Sequence, residues 1–272
     1  MDDTNFVGVF GYGRFGKFLC DELRRAGSGN VRIRVYDPVA TRDAQAAPKF
    51  AETWSARATG KAKAIIEFVS APEAARGAIV VFAVPISELK AAVLAAAPFM
   101  SEGAIVMDAC SVKIKPLEVM KLLLPSNVEI LGAHPLFGPD SAQANRGIRG
   151  LKVVLCPVRI TAEHAATIRG FLEKAGLKVI ETTPEAHDRA MAESQALFHL
   201  IARAVQELES EKPASQEIIT PGPSRLFEDL KILQNDTVQL FLDIQRENPF
   251  AREIRQKFID RLAEINRDLN QE

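Results

Sequence analysis

Cysteine, histidine and charge of a single sign are all scarce in this chain, and each scarcity closes off a class of protein. The 272 residues hold three cysteines, Cys20, Cys110 and Cys156. They are widely separated and odd in number, which argues against a disulfide framework or a paired zinc knuckle and fits a reducing compartment. No metal site is expected. Lys and Arg number 34 against 35 Asp and Glu, a formal net charge of −1. Nucleic-acid binders carry a clear basic excess, so no nucleic-acid partner is expected. Long apolar runs are missing too. The strongest windows, such as AIVVFAVPI at 78–86, reach about half the length of a bilayer span. The opening residues MDDTNFVGVFGYG have neither a basic n-region nor a long apolar h-region, so no signal peptide and no membrane partner are expected. The chain reads as cytoplasmic.

What is present is a globular composition, 47% hydrophobic and 25% charged. At roughly 150 residues per domain the length suits two domains or one large one. From Phe6 to about Thr182 short β-branched runs alternate with longer amphipathic stretches, the mark of βαβ units and a parallel sheet. The predicted strands are FVGVFG (6–11), VRIRVYD (31–37), AIVVFAV (78–84), GAIVMDA (103–109), EILGAH (129–134), LKVVLCP (151–157) and LKVIETT (177–183). Several are apolar on both faces, as expected when helices cover both sides of a sheet. Ser87 is predicted to open one intervening helix and Thr161 another, the latter closing at Gly176.

Beyond Pro184 the strand signal stops. Residues 185–209 read as one long helix with Met191, Leu197, Phe198, Ile201, Val205 and Leu208 on a broad apolar face. A polar, Pro/Gly-containing break at 210–224 follows, then helical segments at 225–233, 236–247 and 248–270. In the last, Phe250, Ile254, Phe258, Leu262, Ile265 and Leu269 form an apolar stripe on a charged helix. The predicted layout is an α/β domain at 1–183 and an all-helical domain at 184–272. Charge divides the same way. Residues 1–183 hold 23 basic and 18 acidic residues, and 184–272 hold 11 and 17. The positive half suits capture of an anionic ligand.

The first strand runs into Gly11-Tyr12-Gly13-Arg14-Phe15-Gly16 and then a helix, with Asp37 at the end of the second strand 21 residues after Gly16. The first glycine permits the tight turn, the second lets a pyrophosphate approach the backbone, and the third lets helix and strand pack closely. Free N–H groups at the helix start face the phosphates. The context of the motif makes this a dinucleotide site on a Rossmann-type, doubly wound, mostly parallel sheet. Gly11, Gly13, Arg14, Phe15, Gly16 and Asp37 are its candidate residues. Asp37 accepts hydrogen bonds from ribose hydroxyls and repels a 2′-phosphate, which favours NAD over NADP, although Arg42 lies five residues on.

Of the four histidines, His134 is placed unusually, at the end of the fifth predicted strand in HPLFGP. That puts it at the carboxyl edge of the sheet, where doubly wound folds hold their ligands, and an imidazole there serves as a base near neutral pH. The fourth strand ends in Asp108-Ala109-Cys110-Ser111-Val112-Lys113 and delivers a hydroxyl to the same edge.

These motifs together resemble the prephenate/arogenate dehydrogenases of tyrosine biosynthesis. The resemblance is carried by GYGRFG, AVPISE (83–88), DACSVK (108–113), HPLFGPDSA (134–142), HDRAMAESQALFH (187–199) and NDTVQLFLDIQRENP (235–249), and covers nearly the whole chain. It implies a dinucleotide-binding domain joined to a helical domain that forms a homodimer. It also implies an oxidative decarboxylation of a small cyclohexadienyl substrate, with hydride leaving the hydroxyl-bearing ring carbon for the nicotinamide. In that scheme His134 matches the catalytic histidine that withdraws the hydroxyl proton, and Ser111 the serine that orients the same hydroxyl. Val84 and Pro85 join the cofactor set. Gln195 and His199, four residues apart on the long helix, fall in the substrate-binding segment. His187 belongs either to that pocket or to the domain junction. The family's carboxylate-binding arginine has no direct match. Counting back from Asp236 reaches Lys231, so either Lys231 or nearby Arg225 anchors the substrate carboxylate. Two other readings remain beside this one: a dehydrogenase of the β-hydroxyacid type, which would leave His134 without a role, and a non-catalytic NAD-sensing regulator.

Overall fold

The alternation of β-branched runs and amphipathic stretches builds a single mixed sheet. The computed structural model describes residues 4–26, 31–46, 66–211, 220–231 and 235–270. By internal packing the chain divides into two units, Met1–Pro184 and Glu185–Glu272.

The first unit holds β1 (Val7–Phe10), β2 (Ile33–Tyr36), β3 (Ile66–Phe68), β4 (Ile79–Phe82), β5 (Ile105–Asp108), β6 (Glu129–Pro135), β7 (Lys152–Arg159) and β8 (Lys178–Glu181). Their order in the sheet is β3-β2-β1-β4-β5-β6-β7-β8. β1 pairs in parallel with both β2 and β4, so the chain's winding reverses there, Val7 lying opposite Ile33 on one side and Ile79 on the other. The helices are α1 (Arg14–Ala26), α2 (Pro38–Ala46), α3 (Ala71–Ala74), α4 (Ile86–Ala96), α5 (Ile114–Leu123), α6 (Pro139–Ala144) and α7 (Ala162–Lys174).

Period-two burial fills both faces of the sheet. Phe10, Phe82, Val106 and Ile130 pack with Leu89, Val93, Leu117 and Met120 on one side, and Val81, Met107, Leu131, Leu155 and Ile168 cluster on the other. Each fully buried aliphatic or aromatic side chain contributes about 1.5–3 kcal/mol relative to exposure, so the central strands anchor whatever their carboxyl ends carry.

Three local readings of the first unit change. β3 escapes sequence inspection because it is a three-residue edge strand, too short for its Ile-Glu-Phe alternation to stand out. β7 runs antiparallel to β6, with Ala133 opposite Leu155 and His134 opposite Val154, because the connection between them holds only the short α6 rather than a full crossover helix. Helix α4 starts at Ile86 after Pro85, not at Ser87, and Glu88 N–H donates to the Pro85 carbonyl at 2.9 Å. Proline's fixed φ and missing N–H suit it to a helix start. Thr161 does cap α7, its hydroxyl accepting from His164 N–H, and Gly176 follows that helix with φ +96°.

The second unit comprises α8, which enters it from Pro184 (Pro184–Met191), a π turn (Ala192–Ala196), α9 (Leu197–Glu211), α10 (Pro221–Lys231), α11 (Val238–Glu247) and α12 (Ala251–Leu269). The long helix expected over 185–209 is thus interrupted. At the end of the π turn the Ala196 carbonyl accepts a hydrogen bond from Gln245 Nε2 at 2.6 Å, and Gln245 Oε1 accepts from Arg255 at 2.8 Å. A side chain from α11 therefore supports the backbone where the regular ladder shifts. Within the expected polar break, Pro221–Ser224 already belongs to α10, proline being tolerated in a first helical turn. Residues 212–219 of that break lie outside the described residues. Along α12 the stripe is half-buried at Ile254 and Phe258 but exposed at Leu262 (49%), Ile265 (47%) and Leu269 (80%).

Candidate active site

The glycine-rich turn leaves β1 at the point where strand order reverses, the place at which open α/β sheets form a ligand crevice. Its three glycines do different work. Gly11 has φ +98°, and a Cβ there would stand 2.6 Å from the Ala83 carbonyl oxygen and 2.8 Å from Val84 Cγ1. A Cβ on Gly16 would collide with the Gly11 carbonyl. Both positions are needed for the turn and α1 to seat against β4. Gly13 is different: a Cβ there would meet no atom within 4 Å. The glycine at this position leaves open space at the start of α1, where a phosphate would be received by backbone N–H groups and the helix dipole. The turn therefore fits a dinucleotide.

Asp37 closes one side. Its Oδ2 accepts Tyr12 N–H at 2.9 Å, and Oδ1 accepts Val39 and Ala40 N–H at 3.0 Å each. The carboxylate thus ties the glycine turn to the start of α2, with lone pairs left for hydroxyl donors. Val84 is half-buried against Gly11 and Pro85 is exposed. Phe15 is half-buried beside Phe18, ring centroids 6.1 Å apart, and Phe18 meets Phe137 edge-on at 6.2 Å. Arg14 reaches the segment that follows β6. Its Nη2 donates to both carboxylate oxygens of Asp140, at 2.8 and 2.7 Å. That pair links the glycine turn to the segment after His134, and no local pattern announces it because the partners lie 126 residues apart.

His134 is the next-to-last residue of β6 and is 3% exposed. β5 ends at Asp108 opposite Gly132, so His134 extends beyond its neighbour at the carboxyl edge. Ser111 is half-buried in the loop leaving β5. The glycine turn, residues 83–85, Ser111 and His134 accordingly stand at the ends of four adjacent strands, β1, β4, β5 and β6. Beneath them lies an ion pair that sequence inspection did not identify. Lys113 pairs with Asp108, both side chains at 0% exposure, and Lys113 Nζ also donates to the Ala133 carbonyl at 2.7 Å.

In the helical unit His199 is 8% exposed and lines a cavity with Ala202, Arg203, Gln206, Asp236, Thr237 and Phe241. Burial lowers its pKa to about 4, so it is neutral near pH 7 and offers hydrogen bonds rather than charge. Gln195 sits in the π turn, its Oε1 buried and without a hydrogen-bond partner. The regular four-residue relation between Gln195 and His199 assumed an uninterrupted α-helix, and only His199 is among the residues lining this cavity. His187 is 2% exposed and bonds Asp188 Oδ1 at 2.7 Å, while Asn248 Nδ2 holds the Asp188 carbonyl at 2.8 Å. This is a buried link between α8 and the turn that joins α11 to α12. Arg225 is exposed on α10, and the Lys231 side chain lies outside the described residues. No cluster suited to a metal ion, and no helix long and apolar enough to cross a membrane, occurs among the described residues.

Two family models match the chain: the nucleotide-binding domain of prephenate dehydrogenase over residues 51–181 and its dimerization domain over 183–272. The glycine turn precedes the first match, so the reading of that turn rests on its own geometry. A probable arogenate/prephenate dehydrogenase of Methanocaldococcus jannaschii is 31% identical over 202 residues, covering 71% of this chain and 44% of the relative. Arogenate dehydrogenase 1, chloroplastic, of Arabidopsis thaliana is 32% identical over 156 residues, covering 55% and 24%. The chain spans less than half the length of these curated relatives. Among solved structures, prephenate dehydrogenase from A. aeolicus in complex with hydroxyphenyl propionate and NAD+ superposes with a TM-score of 0.71 at 22% identity, over 98% of this chain and 92% of that one. At that identity the likeness establishes the shared fold.

Proposed function

Because the chain belongs to the prephenate dehydrogenase family, we propose that it catalyses the oxidative decarboxylation of prephenate, arogenate or both, yielding 4-hydroxyphenylpyruvate or tyrosine, with NAD as hydride acceptor. The observation that carries this reading is the alignment of four adjacent strand ends: open space at Gly13, then residues 83–85, Ser111 and His134 at the edge of the same sheet. NAD, when bound, takes up the hydride from the hydroxyl-bearing ring carbon. The protein's own groups manage the oxygen. Ser111 orients the ring hydroxyl, and the His134 imidazole accepts its proton as carbonyl character develops. Loss of carbon dioxide returns the electron pair of the broken carbon–carbon bond to the ring, which becomes aromatic, and the proton goes back to the phenolic oxygen. Asp37 favours NAD over NADP, since its carboxylate is held in place by three backbone N–H groups and would repel a 2′-phosphate.

Gln195 and His199 contribute polar contacts to the substrate, His199 as a neutral imidazole. Lys231 or Arg225 provides the charge for its ring carboxylate. The helical unit forms a homodimer, using the apolar residues Leu262, Ile265 and Leu269 that α12 leaves exposed, and the enzyme works in the cytoplasm, where its three buried free cysteines remain reduced. The test is NAD reduction with prephenate, with arogenate and with no substrate. Substrate-dependent reduction that falls by two or more orders of magnitude in His134→Asn, with NAD binding retained, supports the reading. Silence with both substrates under NAD and NADP contradicts it.

A further inference from the structure

Five residues after β5, Ala109 to Lys113, carry Ser111 without regular secondary structure. A loop of that kind does not hold a hydroxyl in one direction by itself. What surrounds it is a set of polar contacts closed inside the protein. Asp108 Oδ2 accepts Cys110 N–H at 3.0 Å and pairs with Lys113 Nζ, and Asp108 Oδ1 accepts Ala133 N–H at 3.3 Å. Lys113 Nζ donates to the Ala133 carbonyl at 2.7 Å. The two charged residues therefore bracket Ser111 in sequence and grip both backbone groups of the residue immediately before His134.

Stability is a poor explanation for such a pair. Burying two charges carries a desolvation penalty that a well-packed apolar pair of similar volume avoids, and such replacements are often neutral or stabilising. In some proteins a buried ion pair instead fixes one geometry. We propose that Lys113 and Asp108 are positioning residues that lock the Ser111 loop to the His134 strand, setting the separation of the serine hydroxyl and the imidazole that act on the ring hydroxyl. The inference rests on the dehydrogenase reading above. Neither residue touches substrate. They act through Ser111 and through the Ala133 backbone.

The experiment uses Lys113→Met and the paired variant Asp108→Asn/Lys113→Met, the second removing both charges so that none is left buried and alone. In the paired variant kcat falls about 10- to 100-fold, the scale expected when catalytic groups are displaced by about 1 Å. The calorimetric Kd for NAD stays within about twofold, as expected if the glycine turn is left intact. Ser111→Ala, which lowers kcat in the native background, adds less than about twofold in the paired variant, because the serine is already misplaced there. Hydrogen exchange at residues 109–113 speeds up while the β1 and β4 amides keep their protection. Native kcat in the paired variant, a parallel loss of NAD affinity, an undiminished cost of Ser111→Ala, or failure of the paired variant to fold would each overturn the proposal. Inactivity of the unmutated protein with prephenate and arogenate sinks the functional reading instead, and the exchange measurement still judges whether the pair holds the loop.

Discussion

Substitution of single glycines in the turn after β1 separates a residue kept for packing from one kept for a ligand. Gly13→Ala places a methyl group in open space, with nothing within 4 Å, and the native φ lies outside the left-handed region. Two small terms then oppose each other. Alanine restricts the unfolded chain, stabilising by about 0.4–1 kcal/mol, and is a poorer residue than glycine at the entrance to a helix by a similar amount. The unliganded protein should melt within about 2 °C of the parent. Dinucleotide binding responds differently. The added methyl occupies the opening through which a pyrophosphate reaches the backbone, and loss of one or two charge-assisted hydrogen bonds, each about 1.5–3 kcal/mol, weakens NAD roughly 10- to 100-fold or more. Gly16→Ala reverses the pattern. Its Cβ strikes the Gly11 carbonyl, and overpacking of about 1–3 kcal/mol lowers the melting temperature by roughly 2–10 °C. Thermal melts and calorimetric NAD titrations on both variants decide the matter. Unchanged NAD affinity in Gly13→Ala, or a large loss of its unliganded stability, would refute the assignment of that opening to a pyrophosphate.

Other expectations follow from the helical unit. His199 has a pKa lowered to about 4 by burial, against about 6.5 in an unfolded chain. The unfolded state then binds the extra proton first, so stability is fully present above pH 6.5 and declines as pH falls toward 4, by up to roughly 3 kcal/mol. His199→Gln flattens that decline in acid unfolding curves, and an unchanged slope would mean that His199 is not held neutral. Gln245→Leu leaves the Ala196 carbonyl without its partner and should destabilise the unit by about 1–3 kcal/mol; denaturant unfolding with a native midpoint would show that the π turn needs no such support. Leu262→Asp with Ile265→Asp on α12 should convert a dimer to a monomer in sedimentation, and an unaltered assembly would place the dimer contact elsewhere.

Much of this architecture is visible in the sequence because its signals are local. Strands such as 79–82 and 105–108 are apolar on both faces, the glycine spacing precedes a helix, and Thr161 stands where a cap is required. What escapes inspection depends on partners distant in the chain. β3 is too short for its alternation to stand out, and the direction of β7 follows from a connection whose helix proved short. The π turn breaks a pattern that reads as continuous, and its support comes from Gln245, 49 residues away. Arg14 sits within the glycine motif, and its contact with Asp140 joins residues 126 positions apart. Asp108 and Lys113 lie inside a motif visible at first reading, but their joint hold on Ala133 emerges only when β5 and β6 are side by side.

In the proposed reaction, hydride transfer and loss of carbon dioxide occur together at a site built on His134. It is tested most directly by measuring both products in one assay, NADH by absorbance and carbon dioxide by trapping, with prephenate or arogenate as substrate. Equal amounts of the two are expected throughout the time course. NADH formed without carbon dioxide, or no NADH from either substrate, would contradict the proposed reaction.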